Sequence, residues 1–142
     1  MSSIKSATLC LMLAALCVGC GGKHGAKVSG KVLLDGEPLP SESVGRVTFV
    51  PVGGGSPAYG RIDEESYYSL RTGRDASLPP GEYAVTVAVN ERAAEERAPD
   101  GGPPPIGPSI TPAKYRRAQT SGLQFTVERG SNSIDLELNS GA

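Results

Sequence analysis

From Val28 onward, apolar residues recur at every second position in short runs. Val28, Gly30, Val32 and Leu34 alternate with Ser29, Lys31 and Leu33, and Asp35-Gly36 then turns the chain. Val47 and Phe49 alternate with Arg46 and Thr48 up to Pro51. Ala58 to Ile62 and Tyr67 to Arg71 flank Asp63-Glu64-Glu65-Ser66, which reads as a hairpin turn. Tyr83, Val85, Val87 and Val89 alternate with Glu82, Ala84, Thr86 and Ala88, after a turn at Leu78-Pro79-Pro80-Gly81. Leu123, Phe125 and Val127 form one more run and Ile134, Leu136 and Leu138 the last, with Arg129-Gly130-Ser131 between them. A period of two sends neighbouring side chains to opposite faces, so each strand keeps one face inward and one in water. Seven short strands with turn residues between them, and no long helical pattern, predict an all-β, seven-stranded antiparallel β-sandwich. The 19 glycines, 12 prolines and lack of tryptophan fit a turn-rich β protein.

One segment, 91–119, breaks the rhythm and holds six prolines, Pro99, Pro103, Pro104, Pro105, Pro108 and Pro112. Its start, Asn90 to Arg97, predicts one or two helical turns with Asn90 as cap. The rest can only be extended or irregular, because proline neither donates a hydrogen bond nor tolerates a helix interior. So long a loop in a compact domain is either functional or disordered. Ile110 and Tyr115 near its end can dock on the strands. Lys114, Arg116 and Arg117 stand beside Tyr115 and form the one local basic–aromatic cluster. These four residues are the candidate partner-binding site, with a solvated loop end as the plain alternative.

The only long apolar run precedes all of this. Ala7 to Val18 follows Lys5 and is 12 residues long, too short for a hydrocarbon core that takes roughly 20 helical residues. A charged, then apolar, then small-residue order is secretory-leader architecture. No clean A-x-A cleavage pattern ends it. Val18-Gly19-Cys20-Gly21-Gly22 stands there and resembles a bacterial lipobox, with Cys17 where that motif usually has Leu. This divides the chain into a lipoprotein signal peptide (1–19), a lipidated Cys20 with a short linker (20–26) and a domain (27–142). Lipid on Cys20 implies a chain anchored to the cell membrane, since more than one acyl group holds far better than one. Gly21 is not the Asp that commonly retains lipoproteins in the inner membrane. Outer-membrane placement in a diderm host is therefore expected, with the domain facing the periplasm or exterior. Cys10, Cys17 and Cys20 all lie at or before the cleavage point, so the mature domain has no internal disulfide and depends on its core.

Charge and chemistry narrow the function. Of 14 basic and 15 acidic side chains, cleavage removes Lys5 and leaves 13 against 15, a balance that argues against nucleic acid. His24, the single histidine, lies in the linker and has no partner for metal or for a nucleophile. Glu64-Glu65 and Glu95-Glu96 are sequence neighbours and read as solvated charge. Asp63-Glu64-Glu65 lacks the alternating spacing of a calcium loop. Gly53-Gly54-Gly55 precedes a strand, so it offers no helix N-terminus to phosphate. The expectation is a non-catalytic protein with no cofactor and no metal.

The stretches VSGKVLLDGEPL (Val28 to Leu39), GRVTFVP (Gly45 to Pro51), YSL (Tyr68 to Leu70) and LPPGEYAVTV (Leu78 to Val87) resemble the carboxypeptidase regulatory-like domain. PAKYR (Pro112 to Arg116) and TSGLQFTVERGSN (Thr120 to Asn132) are similar to small bacterial envelope lipoproteins that carry it. The resemblance implies a prealbumin-like (transthyretin-like) sandwich acting as a binding or scaffold module, with no catalytic residues. One departure stands at Ser66, where the family usually has Gly; a different or strained turn is expected there, without loss of the fold. Two partner classes follow. One is an unknown envelope protein, engaged by the long loop or by strand addition at a sheet edge. The alternative is an envelope polysaccharide, with Tyr59, Tyr67 and Tyr115 as the candidate stacking rings. A Lys–Asn isopeptide bond is a third arrangement, and needs Lys27 or Lys31 to meet Asn139 with Glu82 as helper.

Overall fold

The computed structural model describes residues 25–92, 101–102 and 105–141. The leader, Cys20 and His24 lie outside the described residues, as does most of the expected helical turn after Asn90. The described chain is all-β. Its strands are β1 (Lys27–Leu34), β2 (Glu37–Pro38), β3 (Ser43–Pro51), β4 (Ala58–Ile62), β5 (Tyr67–Ser69), β6 (Gly81–Glu91), β7 (Gln124–Val127), β8 (Ser131–Ser133) and β9 (Leu136–Leu138). The helical content among the described residues is one 3-10 turn, Ala113–Arg116.

The strands pair along one curled path, β2-β1-β5-β4-β3-β6-β7, with β8 and β9 on the other edge of β1. Seven runs were expected, and nine strands form, for two reasons. Asp35 (φ 52) and Gly36 (φ 84) make a tight turn with both residues left-handed, which folds Glu37–Pro38 back on Leu33 and Leu34 as β2. The last run breaks at Ile134–Asp135 into β8 and β9, and both lie parallel to β1. A wholly antiparallel sheet is thereby corrected. Asn132 explains the direction: its side chain accepts from Glu128 N at 2.9 Å, donates to Glu128 O at 2.8 Å and reaches Lys27 O at 3.3 Å. The turn after β7 thus delivers the chain to the start of β1, and it can only run alongside.

β3 and β6 form the spine, in register from Ser43↔Glu91 to Pro51↔Tyr83. Their inward positions hold Val47, Phe49, Tyr83, Val85, Val87 and Val89, all buried. Val28 and Val32 of β1 and Leu136 and Leu138 of β9 are fully buried against them. Each such side chain contributes roughly 1.5–3 kcal/mol over its exposed form. Phe49 sits centrally, its ring centroid 5.9 Å from Tyr83, 6.3 Å from Tyr68 and 6.5 Å from Phe125. Asn90 is the other correction, since β6 runs through it. Its side chain donates to Gly107 O at 2.9 Å, and the rest of the expected turn, from 93 on, lies outside the described residues.

Two local features lock the β1 region. At the β8–β9 break the Ile134 carbonyl turns inward over Gly30, where any Cβ would overlap it. Tyr68 OH donates to that carbonyl at 2.6 Å, and Asp135 Oδ1 accepts Lys31 N at 2.9 Å, so the break leaves these groups satisfied. At the β4–β5 turn, Ser66 holds φ 71, the strained conformation expected from its departure from Gly. Ser66 is fully buried, its hydroxyl accepts Leu39 N at 2.8 Å and its carbonyl accepts Val32 N at 2.8 Å. A left-handed non-glycine costs roughly 1–2 kcal/mol, which these two buried bonds offset.

Candidate binding face and groove

The 3-10 turn carries the basic cluster singled out in the sequence. Thr111 anchors its approach, accepting Val89 N at 3.1 Å. Tyr115 is buried and its hydroxyl accepts Asn139 N at 2.9 Å. The ring therefore belongs to the core. Lys114 lies with its ammonium 4.9 Å from the Tyr115 centroid, while Arg116 and Arg117 are exposed. Together with Ala113 and Thr120, the three cations line a shallow 540 Å³ hollow. A partner here would meet cations and no aromatic face.

A second basic–aromatic arrangement lies on the outer face of the sheet. Alternation sends Lys27, Ser29 and Lys31 of β1, Tyr67 and Ser69 of β5, Tyr59 and Arg61 of β4, and Val44, Arg46 and Thr48 of β3 outward. Register then sorts them into rows. Lys31 stands opposite Tyr67, Arg46 opposite Arg61, Thr48 opposite Tyr59, and Tyr59 in turn opposite Arg71. The Lys31 ammonium lies 5.2 Å from the Tyr67 centroid and the Arg46 guanidinium 5.6 Å from that of Tyr59, both within cation–π range. Five cations thus share this face, and no strand position among them is acidic. Asp63, just past β4, spends Oδ1 on Glu65 N and Tyr67 N. Arg46 facing Arg61 is an unfavourable like-charge pair, about 4.8 Å apart at the strand level.

The end of the long loop walls one side of this face. Ile110 N donates to Val89 O at 2.8 Å, Glu91 N to Pro108 O at 2.9 Å, and Asn90 holds Gly107 as described. Pro105, Ile106 and Gly107 line a groove of about 740 Å³ together with Arg46, Arg61 and Ala88. Glu91 and Arg92 also line it; Arg92 is drawn to Glu64 at 3.8 Å, the one ion pair among the described residues. Arg46 and Arg61 have no acidic partner among those residues. The fragment of the Pro-rich loop that is described therefore has a definite place, against the basic face.

The shifted titratable groups all serve the fold. Burial, then the Asp135 carboxylate, pushes the Tyr68 phenol well above its ordinary value, and burial raises Tyr83, whose hydroxyl donates to Pro79 O at 2.6 Å. Asp35 is lowered by the Ser140 hydroxyl and then by the Ser140 backbone N–H, both of which its carboxylate accepts. Among the described residues no group of His, Cys, Asp and Glu is placed to hold a metal, and no helix is long and apolar enough to cross a membrane. The isopeptide arrangement does not assemble. Parallel pairing puts Lys27 opposite Ser131 and Leu34 opposite Leu138, so Lys27 and Asn139 sit at opposite ends of β1. Lys31 is four rows from Asn139 and lies over Tyr67.

Tyr59 and Tyr67 were singled out in the sequence, but Arg46, Arg61 and Arg71 were not. Their only signal was an outward position in the alternation; which strands neighbour each other had to be seen. No family model matches the chain, and no curated protein is significantly similar to it.

Proposed function

We propose that this chain is a non-catalytic binding module of the cell envelope, built on a prealbumin-like sandwich and held to the membrane by lipid on Cys20. The observation that carries the binding role is the outer face: cations and tyrosines lie open beside a walled groove, while the perturbed groups, Tyr68, Tyr83 and Asp35, are committed to hydrogen bonds that hold strands together. The sandwich reading is supported by the crossing after β7. β7 pairs with β6, whereas β8, three residues later, joins β1. Counting β8–β9 as one interrupted strand and β2 as the tail of a turn leaves seven.

The test is made in the source cells. A palmitate analogue should label the chain and the label should vanish in Cys20→Ala, which should also release the protein to the soluble fraction. A photo-cross-linking residue at Thr48, outward on β3, should capture an envelope component; the same residue at Glu137, outward on β9, should not. A membrane-bound, unlabelled Cys20→Ala protein would end the lipid reading, and equal capture from both positions would end the binding-face reading. A carbohydrate partner is favoured over a protein by one feature, the exposure of Tyr59 (45%) and Tyr67 (52%) on the same face.

A further inference from the structure

Three surfaces compete for a ligand: the hollow on the 3-10 turn, the free edge of β7, and the groove on the basic face. The turn offers three cations around a ring that is already buried, one of them, Lys114, lying over it. The β7 edge is four residues long with Gln124 and Thr126 outward, and nothing there selects an occupant. The groove is different in kind, because the fold spends stability to make it. Arg46 and Arg61 face each other across β3 and β4 with no acidic partner among the described residues, an arrangement that costs stability unless an anion sits between them.

We infer that the groove over Arg46 and Arg61, together with Tyr59 beside Arg46, binds an acidic polysaccharide whose sugar rings carry carboxylates. The inference rests on the binding-module reading and selects the ligand within it. Guanidinium groups present a planar fork that takes a carboxylate through two parallel hydrogen bonds. The Cα atoms of these two arginines lie about one strand spacing apart, with Arg71 across from Tyr59 as a third, roughly 7 Å further along the strand direction. Successive acidic groups on an extended polymer can therefore engage them in turn. Tyr59, nearly half exposed, supplies the flat apolar face that a pyranose ring stacks on. Arg46 is stacked at 5.6 Å from that ring's centroid, so one guanidinium is already pre-oriented. Glu91 at the groove rim repels an anion, and Arg92 beside it, only loosely tied to Glu64, offsets that charge.

A lipid surface is the competing polyanion. It fits less well, because the large aliphatic side chains there are few: Ile106 of the loop, 85% exposed, and Val44, 39% exposed, line the groove, while the outward strand positions near it are Thr48, Ala88 and the two tyrosines. A walled groove also suits a linear chain and not a plane.

The experiment uses the full-length chain, processed in a bacterial host and purified in neutral detergent. Binding is measured to polygalacturonate, to neutral dextran, to phosphatidylglycerol vesicles and to a random DNA duplex. Polygalacturonate should bind and dextran should not. Arg46→Ala with Arg61→Ala should weaken binding at least about tenfold, as should Tyr59→Ala. Arg46→Lys with Arg61→Lys, which keeps the charge and loses the fork, should fall between. The triple alanine variant of Lys114, Arg116 and Arg117 should bind as the parent does. All substituted side chains except the half-buried Lys114 are exposed, and unchanged thermal unfolding confirms that each variant is folded. Equal binding to DNA would reduce the face to unspecific charge and overturn the inference. Preference for vesicles would replace the polysaccharide with a membrane. Loss of polygalacturonate binding in the turn variant alone would move the site. No polygalacturonate binding, alongside capture of a protein at Thr48 in cells, would defeat this inference and leave the module reading standing.

Discussion

Replacing Gly30 by alanine tests the whole account of how the C-terminal strand is held. The new methyl group would meet the carbonyl carbon and oxygen of Ile134, which are backbone and cannot swing aside as a flexible side chain can. The break between β8 and β9 must then lift off β1. Lifting it separates Ile134 O from Tyr68 OH, a bond of 2.6 Å in partly buried surroundings; an unsatisfied buried polar group costs roughly 1–3 kcal/mol. Forcing added volume into a packed site costs roughly 1–3 kcal/mol more. The expected loss is about 2–6 kcal/mol, a large part of the 5–15 kcal/mol that domains usually have. Gly53→Ala is the matched control, since a Cβ there meets nothing within 4 Å and its φ is not left-handed. It should be neutral or stabilise by about 0.4–1 kcal/mol. Urea unfolding of the chain from Gly21 reads both: with slopes of about 1–3 kcal/mol/M, Gly30→Ala should lower the midpoint by about 0.7 M or more. A loss below about 1 kcal/mol would mean that Ile134 does not lie over Gly30, and the parallel placement of β8 and β9 would fall with it.

Ser66→Ala should destabilise more than Ser66→Gly, by about 1 kcal/mol in the same assay, because glycine relieves the positive φ while both lose the acceptor for Leu39 N. Tyr68 and Tyr83 have phenols raised by burial, so their contribution to stability is complete below the unfolded value of about 10 and fades as pH rises above it. Thermal scans should be flat from pH 7 to 9 and fall beyond pH 10, and Tyr68→Phe should flatten that fall while lowering stability at pH 7; a Tyr68→Phe protein with an unaltered alkaline limb would contradict the assignment. Arg61→Glu places an opposite charge across from Arg46 and should stabilise the domain by roughly 0.2–1 kcal/mol at low salt, an effect that shrinks at high salt. A destabilised Arg61→Glu would show that Arg61 already has a favourable partner.

Local pattern made most strands legible, and it did so for a physical reason. Val47, Phe49, Val85, Val87 and Val89 alternate because one face of β3 and β6 is sealed, and a one-residue slip would expose every one of them. Ser66 was singled out only through the resemblance to a family that usually has Gly there, and its φ of 71 had to be seen. Direction and neighbourhood were not legible. The run from Ile134 to Leu138 has the same periodicity whether it lies parallel or antiparallel to β1, and the choice is made by Asn132, whose side chain bonds groups from Lys27 to Glu128. Tyr115 misled for a related reason. A tyrosine beside three cations looks like a surface recognition cluster until the Asn139 N–H is seen to need its hydroxyl.

The same logic explains where a ligand site can hide in such a fold. Residues facing the core answer to packing and leave a periodic trace, whereas outward residues answer only to solvent and to each other. Arg46 and Arg61 sit 15 positions apart in the chain, and nothing local marks them as a pair. Pairing of β3 with β4 makes them opposite neighbours, and the loop at 105–107 lines a groove beside them. The charge is uneven as well. A chain with 15 acidic side chains against 14 basic ones has placed Lys27, Lys31, Arg46 and Arg61 on the outer face of β1, β3 and β4, with Arg71 bridged to Tyr59 beside them. Net charge describes how the molecule behaves at long range, where salt screens it beyond about 10 Å. A ligand in the groove sees the local field instead, and that field is positive. An acidic envelope partner is therefore compatible with an acidic protein, provided that the partner is narrow enough to lie along one face.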